Sequence, residues 1–161
     1  MTSFGLIQTF LADEAATVNV GGKIGAALIA GNVVFLEGEL GAGKTTFTRG
    51  VLRARGHTGA VKSPTYTLCE PYESDDTHLV CHLDLYRLSD PEELEFLGFR
   101  DYLASGAIVL IEWPSRGEGW LPNPDLKIEL SERGSGRVLR VLALTTHGSQ
   151  VLERCGVDHV E

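Results

Sequence analysis

Gly38-Glu39-Leu40-Gly41-Ala42-Gly43-Lys44-Thr45 satisfies G-x-x-x-x-G-K-[ST] at every position. Each residue type at that spacing has a physical job. The glycines let backbone N–H groups turn toward one point and ring phosphate oxygens without Cβ clashes. A helix opening at the end of the loop adds its positive N-terminal end. Lys44 supplies a compact charge for β- and γ-phosphates, and the Thr45 hydroxyl is placed to ligate magnesium. Thr46, one step on, can reach the α-phosphate. Glu39, Leu40 and Ala42 contribute their backbone to the same cradle. In a chain of 161 residues a chance match is on the order of one in a hundred or less. The loop therefore predicts a site for ATP with Mg2+.

Such a loop needs an acid at the end of a neighbouring strand to organise magnesium and water. Ile108-Val109-Leu110-Ile111-Glu112 has that form, four apolar residues ending in a carboxylate. Trp113 follows directly and either packs in a core or interface, or closes over the nucleotide or meets a partner. A second acid, Asp84, stands in His82-Leu83-Asp84-Leu85-Tyr86-Arg87, its side chain emerging opposite Leu83 and Leu85. It could hold a magnesium-bound water, orient the attacking one, or simply pair with Arg87 or another base. His82 has no metal-ligand neighbours in sequence, so a packed or hydrogen-bonded histidine is expected. In Ser63-Pro64-Thr65, after the P-loop helix, Thr65 is either a γ-phosphate or magnesium contact or part of an ordinary turn.

These residues need elements to hold them. Residues 4–11 read as a strand, and Asp13 could cap a helix over about 14–30 that Gly31 stops. Gly21, Gly22 and Gly25 weaken that helix. Residues 32–37 read as a buried parallel strand entering the glycine loop, with a helix from about 45 to 55 leaving it. Strands over 66–72 and 79–86 flank a turn at 74–76; a turn centred on Asp75 would set Cys69 opposite Cys81, as two reduced, half-buried thiols. Ser89-Asp90-Pro91-Glu92-Glu93 starts short helical segments over about 91–104. Residues 107–111 read as a central strand, 116–124 as a loop, 126–131 and 137–146 as two alternating strands, and the tail as a short helix or frayed end.

The bulk numbers bound the rest. A length of 161 residues with 43% apolar content fits one domain spanning 1–161. A net charge of −8 argues against a free-standing nucleic-acid binder, which needs a basic face. Three cysteines without C-x-x-C spacing fit neither a disulfide framework nor a zinc site. No signal peptide is evident, and no apolar stretch approaches the ~20 residues that span a bilayer. A cytoplasmic protein is expected.

Taken in order, GELGAGKTTFTRG, VKSPTYTL, HLDLYRL, DPEELEFLGFRDYL and IVLIEWP followed by GWLP resemble the TsaE (also YjeE) family of bacterial P-loop ATPases. The motifs cover about residues 30–125. The resemblance implies a part in making the threonylcarbamoyl modification on the adenosine next to the anticodon of certain tRNAs. It implies an ATP-hydrolysing accessory to the TsaB-TsaD complex, with tRNA met only within that complex, and not the transferase itself. Residue by residue, it places phosphate binding on Gly41, Gly43, Lys44, Thr45 and Thr46, the magnesium-site acid on Glu112, the second functional acid on Asp84 and the functional tryptophan on Trp113. The switch-like segment maps to Ser63–Thr65, and Arg137 is a candidate adenine contact. For the stripe Arg49, Arg53 and Arg55, a solvated face is favoured over a tRNA contact.

The fold expected is α/β, one P-loop NTPase-type domain. Its sheet should be mostly parallel and flanked by helices, with antiparallel portions from the 66–86 hairpin and the C-terminal strands. Lys44, Glu112 and Asp84 are the candidate catalytic residues, and Thr45 and Glu112 the candidate metal ligands. No motif supplies an arginine finger in cis, so hydrolysis by the isolated chain should be slow. Two rivals share this loop, a small-molecule kinase and a non-hydrolytic nucleotide-gated binding module. A guanine-specific switch is disfavoured, because no Asn/Thr-Lys-x-Asp motif includes Asn19, Asn32 or Asn123.

Overall fold

The computed structural model describes residues 4–61, 69–75, 78–96 and 98–159. Thr65 and the rest of the Ser63–Thr65 segment lie outside the described residues. In chain order the elements are β1 (Gly5–Leu11), α1 (Glu14–Ala27), β2 (Val33–Glu37), α2 (Lys44–Ala54), β3 (Cys69–Tyr72), β4 (Val80–Asp84), α3 (Glu93–Phe96), α4 (Phe99–Ala104) and β5 (Ile108–Glu112). A 3₁₀ turn at Pro114–Gly117 follows, then β6 (Leu126–Arg133), β7 (Gly136–Ala143) and α5 (Thr146–Arg154).

The strands form one seven-stranded sheet in the order β1-β7-β6-β2-β5-β4-β3. The four central strands, β6, β2, β5 and β4, run parallel. Antiparallel strands extend the sheet on both sides, β3 on β4 and the pair β7 and β1 beyond β6. Because β2, β5 and β4 are parallel neighbours, their C-terminal ends open on the same edge of the sheet, where ligands of α/β proteins bind.

Both faces of the central strands are covered, so β5 is buried at all five positions. One layer packs α1, α2 and α5 onto Val34, Leu36, Leu110, Ile128 and Val141. The other seals Val109, Ile111 and Leu83 with Leu94 of α3 and Phe99 of α4. That is why these strands read as near-continuous apolar runs rather than alternating ones.

Asp13 caps α1 as expected, accepting from the Ala16 N–H at 2.8 Å. The helix ends at Ala27, short of Gly31, because Asn32 Oδ1 takes the Ile29 N–H at 2.7 Å and Leu28 is already extended. Arg55 is 8% exposed and donates to the carbonyls of Gly25 and Leu28, each at 3.0 Å. It therefore leaves the expected solvated stripe and satisfies the end of α1 instead.

The β3–β4 register also departs from expectation. Cys69 pairs with Leu83 and Cys81 with Pro71, so the two cysteines are diagonal neighbours rather than opposite one another. Both are free thiols, Cys69 part-buried and Cys81 fully enclosed. Their mutual hydrogen bond holds Cys69 below its usual range and pushes Cys81 up.

Candidate active site

The glycine loop joins β2 to α2, as the strand–loop–helix reading requires. Gly41 and Gly43 have φ of +80° and +107°, which a side chain would strain, and Gly41 has nothing within 4 Å of where a Cβ would stand. Gly38 is required for a different reason: a Cβ there would sit 2.5 Å from the Leu130 carbonyl oxygen of β6. Gly43 is the N-cap of α2 and offers no side chain to the first N–H groups of that eleven-residue helix. Lys44, Thr45 and Thr46 thus begin a helix that its N-cap residue does not close with a side chain.

Lys44 is 6% exposed. Its ammonium donates to the Gly38 carbonyl at 2.5 Å, lies 4.0 Å from Glu112 Oε1, and sits 4.2 Å from the centroid of the Trp113 ring. Burial holds its pKa below the usual lysine value, opposed by the charges of Glu112, Asp84 and Glu39.

Glu112 and Asp84 stand side by side because β4 and β5 pair in parallel with Asp84 opposite Glu112. Glu112 is 2% exposed, and its Oε2 is bonded to His82 Nε2 at 2.5 Å. Asp84 Oδ1 accepts from the Tyr86 N–H at 3.0 Å. Burial raises the Asp84 pKa, and the Glu112 carboxylate adds to the rise while the Tyr86 N–H, His82 and Lys44 oppose it. No sequence motif tied His82 to Glu112; the link depends on β4 and β5 becoming neighbours across 30 residues of chain.

Trp113 has a left-handed backbone, φ 56°, and is the single non-glycine residue with positive φ among those described. This turn directs the chain from β5 into the 3₁₀ segment and lays the indole over Lys44. The Tyr86 ring packs on Trp113 at 4.9 Å between centroids, and the Arg116 guanidinium lies 5.5 Å from the Tyr86 centroid.

Arg137, a candidate base contact in the sequence, grips the loop itself. Its Nε donates to the Ala42 carbonyl at 3.0 Å and its Nη2 to the Gly41 carbonyl at 3.2 Å. Loop carbonyls satisfied by a guanidinium are not left to oppose an anion. A cavity of about 280 Å³ continues from this point along Thr17, Gly43, Thr46 and Gly136.

A helix start whose N-cap is glycine, open space at Gly41 and a buried ammonium have the chemistry to take a polyphosphate, and the neighbouring Glu112 and Asp84 carboxylates have the chemistry to take a divalent cation. Mg2+ keeps several waters and takes few protein ligands. No cluster of three or more His, Cys, Asp or Glu residues suited to holding a metal by itself occurs among the described residues. Nor is any helix among them long and apolar enough to cross a membrane.

The family model described as "Threonylcarbamoyl adenosine biosynthesis protein TsaE" matches residues 11–139. The chain is 43% identical over 151 residues to the tRNA threonylcarbamoyladenosine biosynthesis protein TsaE of Haemophilus influenzae, covering 91% of this chain and 95% of that one. It is 38% identical over 125 residues to the protein of the same name from Bacillus subtilis, covering 78% and 76%. The crystal structure of Bacillus subtilis YdiB superposes with a TM-score of 0.80 at 28% identity, covering 94% of each chain. With the match running from the end of β1 through the glycine loop and both acids into β7, the chain belongs to the TsaE family.

Proposed function

We propose that this protein is an ATP-binding and slowly ATP-hydrolysing accessory in threonylcarbamoyl modification of the adenosine next to the tRNA anticodon. It acts in the cytoplasm with the TsaB-TsaD complex and does not transfer the group itself. The names of its relatives support the pathway. The observation that carries the ATP site is the buried Lys44 ammonium beside Glu112 at the start of α2, whose N-cap is glycine.

The amides from Gly38 to Thr46 and the Lys44 ammonium hold the phosphates, Lys44 exchanging the Gly38 carbonyl for a phosphate oxygen. Thr45 and Glu112 are the residues that would hold Mg2+, which when bound supplies positive charge to the β- and γ-oxygens. The nucleoside end fits the cavity beside Thr17, Thr46 and Arg137. Because Glu112 is already tied to His82 and lies beside Lys44, Asp84 is the better placed of the two acids to orient water and accept its proton. The water oxygen bonds to the γ-phosphorus as the β–γ bridge breaks, releasing ADP and phosphate. Arg137 grips the loop through its carbonyls rather than facing the phosphates, so turnover alone is expected to be slow until a partner completes charge stabilisation. With a net charge of −8, the protein meets tRNA through the complex rather than by itself.

ATP turnover measured alone and with TsaB and TsaD tests this reading. Stimulation with co-purification is expected. Unchanged turnover and no association would count against the accessory role.

A further inference from the structure

His82 is fully buried, and its Nδ1 has no hydrogen-bond partner among the described residues. A buried imidazole with one nitrogen unsatisfied costs stability, and an apolar residue of similar size would avoid that cost. The polar contact that the ring does make is Nε2 to Glu112 Oε2 at 2.5 Å. The register explains the reach: His82 lies two residues before Asp84 on the same face of β4, diagonal to Glu112 on β5. The other carboxylate oxygen, Oε1, points to the Lys44 ammonium at 4.0 Å.

We propose that His82 is a positioning residue: by holding Oε2 of Glu112 it leaves Oε1 as the single oxygen offered to the nucleotide site. The inference rests on the ATPase reading above and assigns how its acid is held. A Glu112 side chain released from His82 is free to turn both oxygens onto Lys44. It would then neutralise the ammonium needed for phosphate and abandon the one-oxygen geometry suited to a metal ion that keeps most of its water. Residues that orient a metal ligand in this way are typically worth about 10- to 100-fold in metal affinity or activity.

The test compares His82→Leu, which packs without a donor, with His82→Gln, whose amide N–H can reach the same carboxylate oxygen. Binding of an unreactive ATP analogue is measured by calorimetry in EDTA and in magnesium, alongside turnover. In His82→Leu, the magnesium-dependent gain in affinity and kcat should each fall by about tenfold or more. His82→Gln should recover most of both. A purely packing role predicts the opposite ranking, with leucine the better substitute. The contact itself is read without nucleotide: ¹⁵N-histidine NMR should show an exchange-protected His82 Nε2–H whose resonance moves in Glu112→Gln. If wild type binds ATP while His82→Leu keeps its magnesium dependence and turnover, the inference is overturned and the ATPase reading stands. It is equally overturned if folded His82→Gln fails like leucine, or if no protected imidazole N–H is found. If wild type binds no ATP, the ATPase reading falls and takes this inference with it.

Discussion

At the scale of single residues, the site is built from charged groups kept partly out of water, and this has measurable consequences. Asp84 has its folded-state pKa raised by burial, so the folded protein disfavours its ionised form. The stability this group contributes is present below the usual carboxylate range and is lost as pH rises through the raised folded value. Asp84→Asn should therefore raise the melting temperature of the nucleotide-free protein at neutral pH, and the advantage should vanish as pH falls toward about 4. Thermal denaturation across that range checks it. The same variant should slow ATP turnover by about 100-fold if Asp84 orients the water, within the usual span for a general base. Glu112→Gln should also slow turnover, with the loss concentrated in magnesium-dependent binding. The placement of Lys44 at the start of a helix that follows a buried strand was legible in the sequence, because glycines and an apolar run are local signals. The His82–Glu112 bond was not, because it joins two strands whose pairing no local pattern encodes.

At the scale of elements, the packing of α1 on α2 fixes the helix that leaves the glycine loop. Gly21, Gly22 and Gly25 look like flaws in a helix when read from propensity alone. The structure gives Gly21, Gly25 and Gly50 a purpose: Cβ atoms there would lie 2.4 Å from the Phe47 oxygen, 2.6 Å from Val51 Cα and 2.3 Å from the Val18 oxygen. The two helices touch backbone to backbone. Gly25→Ala or Gly50→Ala should destabilise by about 1–3 kcal/mol, since the clash is with main chain that cannot step aside. Gly22, whose nearest such neighbour is the Gly50 oxygen at 3.5 Å, is the internal control. Gly22→Ala should be neutral or stabilise by up to about 1 kcal/mol through helix propensity. Denaturant unfolding of the three variants checks the ranking. Element types followed from apolar runs, glycines and caps. Misreadings came where tertiary contacts intervene: Arg55 became a cap for α1, and the cysteine register shifted by two positions because strand pairing, not the midpoint of a presumed turn, sets it.

At the scale of the whole molecule, the sheet order brings distant segments to one edge. Placing β5 between β2 and β4 sets the ends of three parallel strands, and with them the loop, Glu112 and Asp84, side by side. An α/β fold was legible from alternating strand and helix signals. The insertion of β6 beside β2, and the return of β1 to pair with β7, were not, because many strand orders satisfy the same pattern. The proposed ATP hydrolysis requires this edge to hold a magnesium-bound triphosphate. Isothermal calorimetry with magnesium and an unreactive ATP analogue, on wild type and on Lys44→Ala, tests that most directly. Saturable one-site binding by wild type and its loss in Lys44→Ala is the predicted result. No binding by folded wild-type protein, or equal binding by Lys44→Ala, would contradict it.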